Sequence, residues 1–551
     1  MARQLVLILT CILATASLSQ ATQASDTVTL SVQDEVSGAT SLQEFSTGSA
    51  ADSDAVEPIA GGDRDATILW HRHFEDPIYT SCGIIEDAEM AFAGNWLNPI
   101  EQIEAIPLLS DGSALWTSPG TEFYTDAGRQ GWLVAAVDIN TSDSTAVISG
   151  WMPGSSTPVW SHTVHPCRSM TYAGWASRKP IQVADDGSTV AVALVMYTET
   201  GEQRGHLFAF DSADGSTLAD WEFPAGNVVA TALSSNGRFV AMAGWPTLYV
   251  YDLTLDTLRW SGPIGSGNDA LAISADGEYV SWGWTTLNLR RWNGSSYAYY
   301  WSHTPGSGYY LGQCAFSPHD EFAVAWDNGN NMVNEISVEL FTLSTMDQLW
   351  HYDYQGTPPS THVDITTSMV FSPDGNRIAV GSWGGSFPEI HVFDRNSPDP
   401  IYTLDTPGSI FDIDIVDMTP SGHYVTACGK GVHAGTGGRG GDFYAIAVSE
   451  NASDLPSGSA HGSLTSVYPN PLGKISTISF ALEGPSEISL RVYDLTGRMV
   501  RELDRGIRAE GTHELHWRGD DSMGRPLPAG VYFLRLTEGS NTSSRKIVLV
   551  D

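Results

Sequence analysis

Two carboxylates spaced two apart, Asp412 and Asp414 in the run FDIDIVD, share one face if that run is a strand, because side chains alternate sides along β structure. Asp364 and Asp269 take comparable early positions in their own apolar runs. Gathered at one place, such groups suit a hard cation such as Ca²⁺, which collects several oxygen ligands. The competing role is local, with each Asp bonding nearby backbone amides at a strand end. A second set is aromatic. Trp96, Trp151, Trp245, Trp284, Trp326 and Trp383 recur in AGNW, SGW, AGW, WGW, VAW and GSW, each read as the end of a second strand. Ringed on one face, six indoles would be stacking platforms for sugar rings or a flat surface for a partner. As wedges between sheets they would be buried instead.

Other strings weigh less. HTVHPC, with His162, His165 and Cys167, has the types of a metal site. However, a His beside a Trp recurs at His71, His303 and His351, so it reads as a structural feature of a repeat. GTGGRG, Gly435 to Gly440, lacks the strand-turn-helix setting that a dinucleotide loop needs. No nucleophile elbow, zinc-protease helix or phosphate loop occurs, and no cofactor is assigned beyond the Ca²⁺ reading.

These residues sit in a repeating frame. Turns containing Asp, Asn or Gly after Ser or Pro recur eight times, as IEDA, TSDS, ADDG, SSNG, SADG, SPHD, SPDG and TPSG. Each lies between two short apolar runs, and Asp-Gly or Asn-Gly supplies the positive φ of a tight hairpin. A Trp follows late in each unit, at Trp116, Trp160, Trp221, Trp260, Trp301 and Trp350, with Tyr402 next. Short strands repeating at a period near 40 residues indicate a β-propeller. The eighth Trp is Trp70, ahead of the first unit, so the N-terminal strand is expected to complete the last blade. The fold expected is an all-β, eight-bladed propeller. Seven blades is the alternative, because Leu133 to Val164 counts one strand short.

The rest of the chain frames that domain. Residues 1–24 carry Arg3, an apolar core and small residues, the pattern of a secretory signal peptide. Residues 25–64 read as a flexible polar spacer, 65–450 as the propeller and 451–462 as a linker. Residues 463–551 read as an immunoglobulin-like sandwich with alternating Ile478, Phe480, Leu482 and Ile488, Leu490, Val492. A net charge of −37 repels phosphate backbones and anionic lipid, so no nucleic-acid partner is expected. No later apolar run is long enough to span a bilayer. Cys82, Cys167, Cys314 and Cys428 read as buried free thiols.

HLFAFDSADGSTLADWEF and LYVYDLTLDTLRW resemble blades of pyrroloquinoline-quinone-like and WD-type propellers, which implies that an outer Trp docks on the neighbouring blade. The C-terminal segment is more specific. YPNP (Tyr468, Pro469, Asn470, Pro471), VYDLTGR (with Asp494, Gly497, Arg498), Trp517, Gly530, Tyr532 and Lys546 run in the order of the type IX secretion C-terminal sorting domain, itself similar to the immunoglobulin-like domain of hook-capping proteins. That resemblance implies export through the periplasm to the outer-membrane surface or beyond, with the outer-membrane secretion machinery as a partner. Three roles stay open for the propeller. They are a binding module for glycan or protein, an extracellular enzyme of quinoprotein, lyase or hydrolase type, and a structural or adhesive surface protein.

Overall fold

In the computed structural model the described residues are 27–33, 40–46 and 66–549, apart from 97–101, 168–178, 265–269, 329–334, 356–363, 418–421, 434–439, 450–462, 469–474, 495–498 and a few shorter stretches. The signal-peptide segment lies outside them. The chain divides into Met1–Pro58 and Ile59–Asp551. In the first unit Thr27–Gln33 pairs antiparallel with Thr40–Ser46, inside the segment read as a spacer.

The second unit is all-β. Among the described residues, eight four-stranded antiparallel sheets follow one another between residues 66 and 448. Seven are built from consecutive strands, spanning 78–119, 123–164, 181–223, 230–263, 270–303, 309–353 and 365–404. The eighth uses Ile410–Asp417, His423–Lys430 and Gly441–Val448, and its outer strand is Ala66–Phe74 from the N-terminal end. The expected closure by the Trp70 strand is therefore present. Pairing the two ends of the domain in one sheet covers the edge that Gly441–Val448 would otherwise expose.

Repeat chemistry explains the hairpins. Gly187 (φ +71°) and Gly277 (φ +66°) occupy the left-handed region at their turns, where a side chain would be strained. Ser234, Ser274 and Ser372 each donate a hydroxyl hydrogen bond to the Asn236, Asp276 or Asp374 side chain two residues on. The late Trp residues fasten each sheet to the next. Trp70 Nε1 donates to Leu108 O at 3.1 Å, Trp116 to Pro153 O at 2.6 Å, Trp160 to Ser212 O at 2.7 Å and Trp350 to Arg395 O at 2.9 Å. A large ring thus fills the gap between sheets while its one polar atom is satisfied.

The second sheet corrects the strand count. Its innermost strand is Phe123–Ala127, which turn signals alone do not mark, so the unit has four strands. Val134–Asn140 becomes its second strand and Thr145–Trp151 its third. Trp151 therefore ends a third strand, not a second.

Residues 463–549 form a three-stranded and a four-stranded sheet. Ile478, Phe480, Leu482, Ile488, Leu490 and Val492, the alternating positions, are all buried in one core with Trp517, Leu534 and Leu536. Both sheets contribute to that core, which makes the module a β-sandwich.

Candidate functional site

The innermost strands of the propeller line a central cavity of about 290 Å³. Asp412 and Asp414 both border it, as their two-residue spacing requires. The cation between the carboxylates is the chain's own. Lys179 Nζ lies 2.9 Å from Asp412 Oδ2 and 2.9 Å from Asp126 Oδ1. Burial alone would discharge that ammonium, but Asp126, Asp412 and Asp414 outweigh it and hold it charged. Asp412 also accepts from Cys82 N at 3.0 Å and Ser368 Oγ at 3.0 Å.

Asp414 accepts from Ile84 N at 3.1 Å and lies 3.9 Å from Arg129, whose guanidinium also grips Asp185 at 2.9 and 3.0 Å. Burial pushes Asp414 up to about 7, against Arg129 and Lys179 and with Asp126 adding to the rise. Asp412 and Asp414 are thus paired with Lys179 and Arg129. Asp364 borders no part of the cavity. It is buried at the entry to its sheet and accepts from Gly385 N at 3.0 Å. Asp269 lies outside the described residues. Lys179, Arg129, Asp126 and Asp185 carry no motif that marks them in the sequence. A usable signal existed, since basic residues are scarce, 27 against 64 acidic, and two of them flank innermost strands.

The tryptophans divide. Trp326 is fully buried and donates to Glu339 Oε2 at 2.7 Å. Trp151 is buried and stacks on Trp116 at 6.3 Å. Both are wedges that offer no face to a ligand. Trp96 and Trp383 are half-buried, and Trp383 stacks on Phe411, in the first strand of the next sheet, at 5.7 Å. Trp284 is 39% exposed and meets Tyr310, also from the next sheet, edge-on at 5.9 Å. Trp245 lies outside the described residues. Where second strands end and first strands begin, the chain therefore places aromatic pairs across sheet boundaries, one of them open to solvent. His162 is structural, as expected, with Nε2 2.7 Å from Gly215 O and its ring stacked on Phe210.

In the sandwich, Trp517 Nε1 donates to Asp520 O at 3.0 Å, and its ring meets Tyr532 edge-on at 6.2 Å. Tyr532 Oη donates to Pro528 O at 2.9 Å. Tyr468, Asp494, Gly530 and Lys546 lie in paired strands, opposite Thr477, Tyr532, Leu549 and Phe533. Pro469, Asn470, Pro471, Gly497 and Arg498 fall outside the described residues.

Residues 466–550 match the secretion system C-terminal sorting domain family. The match indicates delivery to the cell surface or the exterior, with the secretion machinery as a partner. No described helix is long and apolar enough to cross a membrane. No curated protein matches the chain. Among solved structures, Saccharomyces cerevisiae Sqt1 aligns with a TM-score of 0.51 at 10% identity, covering 70% of this chain and 100% of that one. The computationally designed Ika8 protein aligns at 0.46 and 15% identity, covering 69% and 99%. The C-terminal WD40 domain of Sif2 aligns at 0.46 and 12% identity, covering 70% and 99%. The likeness to Sqt1 concerns the fold alone, and it agrees with the propeller strand order found here.

Proposed function

We propose that the propeller is the working domain, a binding module that holds a glycan through the face where second strands end. The C-terminal domain sets its address. The observation that carries this reading is Trp284, 39% exposed beside the half-buried Tyr310 while Trp151 and Trp326 are packed away. Leaving a large indole in water costs burial energy, so such a residue has a use outside the fold more often than a buried one. One indole and a neighbouring phenol match the apolar face of a sugar ring. They fall well short of the roughly 800 Å² per partner that a stable protein interface buries.

The test is a glycan array probed with the purified chain, followed by titration of the best-retained sugar. Trp284→Ala should weaken that binding at least tenfold with an unchanged circular dichroism spectrum. Retention of no glycan, or equal affinity in the variant, would overturn the reading. Capture of a protein that still binds the variant would point instead to a flat interaction surface.

A further inference from the structure

On the turn side of the ring, away from the aromatic pairs, three ligating side chains from two sheets converge. Asp417 closes the innermost strand of the eighth sheet, His423 opens the next strand, and the two are direct cross-strand partners. Asp374 belongs to the SPDG turn of the seventh sheet. His423 is 5% exposed, and its Nε2 lies 3.3 Å from Asp374 Oδ1 and 3.3 Å from Asp417 Oδ1. The three ligand atoms lie within 4.8 Å of one another.

These distances suit a shared cation better than a hydrogen bond. A charge-assisted N–H···O⁻ contact settles at about 2.7–2.9 Å. One Nε2–H shared between two oxygens makes only a weak three-centre bond, and Asp417 Oδ1 is buried without a hydrogen-bond partner among the described residues. Around a tetrahedral ion with Zn–N and Zn–O near 2.1 Å, neighbouring N and O ligands stand about 3.4 Å apart. The observed pair of 3.3 Å separations fits that edge.

The surroundings also fit. Asp374 is oriented from behind, with Oδ2 accepting from Asn376 Nδ2 at 2.7 Å and Oδ1 from Asn376 N at 2.9 Å. The Ser372 hydroxyl, 2.6 Å from Oδ1, can turn to Arg377 O at 3.5 Å and release a lone pair. The Asp374 and Asp417 side chains are 34% and 27% exposed, which leaves a side open for water as a further ligand. The sister turn residues Asn236 and Asp276 share the Ser–Asx bond, but only Asp374 is joined to a His among the described residues. An imidazole with two carboxylates favours a borderline transition cation over Ca²⁺ or Mg²⁺, which prefer oxygen alone.

We propose that Asp374, Asp417 and His423 bind one divalent transition cation, Zn²⁺ in preference to Ca²⁺. The ion clasps the turn of the seventh sheet to the first hairpin of the eighth, the sheet that closes the ring. It is separate from the channel network and from the aromatic face.

The full chain, stripped with chelator and dialysed, would be titrated with Zn²⁺ and with Ca²⁺ by calorimetry at neutral pH. One tight Zn²⁺ per chain is expected, with no tight Ca²⁺ binding at that site. Asp417→Asn and His423→Gln should each lower the Zn²⁺ affinity at least tenfold. His73→Gln, in a different His–carboxylate pair, should retain it. Saturating Zn²⁺ should raise the melting temperature of the native chain but not of Asp417→Asn. If the variants fail to fold, Co²⁺ added to the native chain should still give the visible absorption of a tetrahedral N/O site. Lack of stoichiometric uptake, a Co²⁺ spectrum like that of the free ion, or uptake unchanged in folded Asp417→Asn would overturn the proposal.

Discussion

Replacing Glu389 with Gln should relieve the fold of a load that grows with pH. Glu389 immediately precedes the strand Ile390–Asp394 and is fully buried. Its Oε2 accepts from Thr406 N at 2.7 Å and Thr406 Oγ1 at 3.1 Å. Its Oε1 has no hydrogen-bond partner among the described residues and lies 3.4 Å from His433 Nδ1. Burial pushes the carboxyl up to about 9 from 4.5, with Asp405 adding to the rise and the Thr406 bonds opposing it. Between those values the folded chain keeps a proton that the unfolded chain releases. Folding therefore loses stability as pH rises through that window, by up to about 1.4 kcal/mol per pH unit. At pH 7, two and a half units above 4.5, the load is about 3 kcal/mol. Above about 9 both states are ionised, and the loss stops growing.

Gln copies the protonated acid in shape, keeps an oxygen for Thr406 and does not titrate. Urea unfolding of both proteins, followed by tryptophan fluorescence at pH 5, 6, 7 and 8, isolates Glu389 and the groups coupled to it, His433 and Asp405, because distant ionisations cancel in the difference. Glu389→Gln should gain on the native chain steadily across the series and exceed it by about 3 kcal/mol at pH 7. A difference that stays flat from pH 5 to 8, or a variant less stable at pH 8, would refute the assignment of a buried neutral carboxyl.

Three further outcomes follow from the packing. Trp70→Phe removes the Nε1 bond to Leu108 O at the ring closure and should cost about 1 kcal/mol, whereas Trp70→Ala should cost about 3–5 kcal/mol in urea unfolding. Lys179→Met leaves Asp126 and Asp412 buried without their cation and should cost about 3–5 kcal/mol at pH 7, with part recovered in the double variant Lys179→Met, Asp412→Asn. A loss below about 1 kcal/mol would deny the network its role. Deleting Leu464 to Asp551 removes a core that contains no propeller residue, so the propeller should keep its melting transition while cell fractionation finds it retained inside. Normal delivery of the truncated chain outside would contradict the role of the C-terminal domain.

Most of the architecture was legible in the sequence because it is written locally. Gly187 and Gly277 mark their turns through a backbone conformation that only nearby residues determine. Alternation at Ile478, Phe480 and Leu482 declares a buried face through strand geometry. The recurring Trp marks sheet-to-sheet docking, and Trp70, standing ahead of the first unit, announces the closure of the ring. Phe123–Ala127 escaped because no Asp-Gly turn separates it from the strand that follows, and that omission displaced Trp151 by one strand.

Which side chains meet across sheets is settled by the folded ring. Asp412 and Asp414 share a face by their spacing alone, but Lys179 and Arg129, far away in sequence, decide that they form ion pairs. The like spacing of Trp284 and Trp326 gave no hint that one is open to solvent and the other sealed against Glu339. Asp374 stands in one repeat and His423 in the next, and neither repeat predicts the other's ligand. A periodic sequence specifies each sheet nearly by itself. Charge, exposure and ligation arise where sheets touch, and those contacts exist only once the ring has closed.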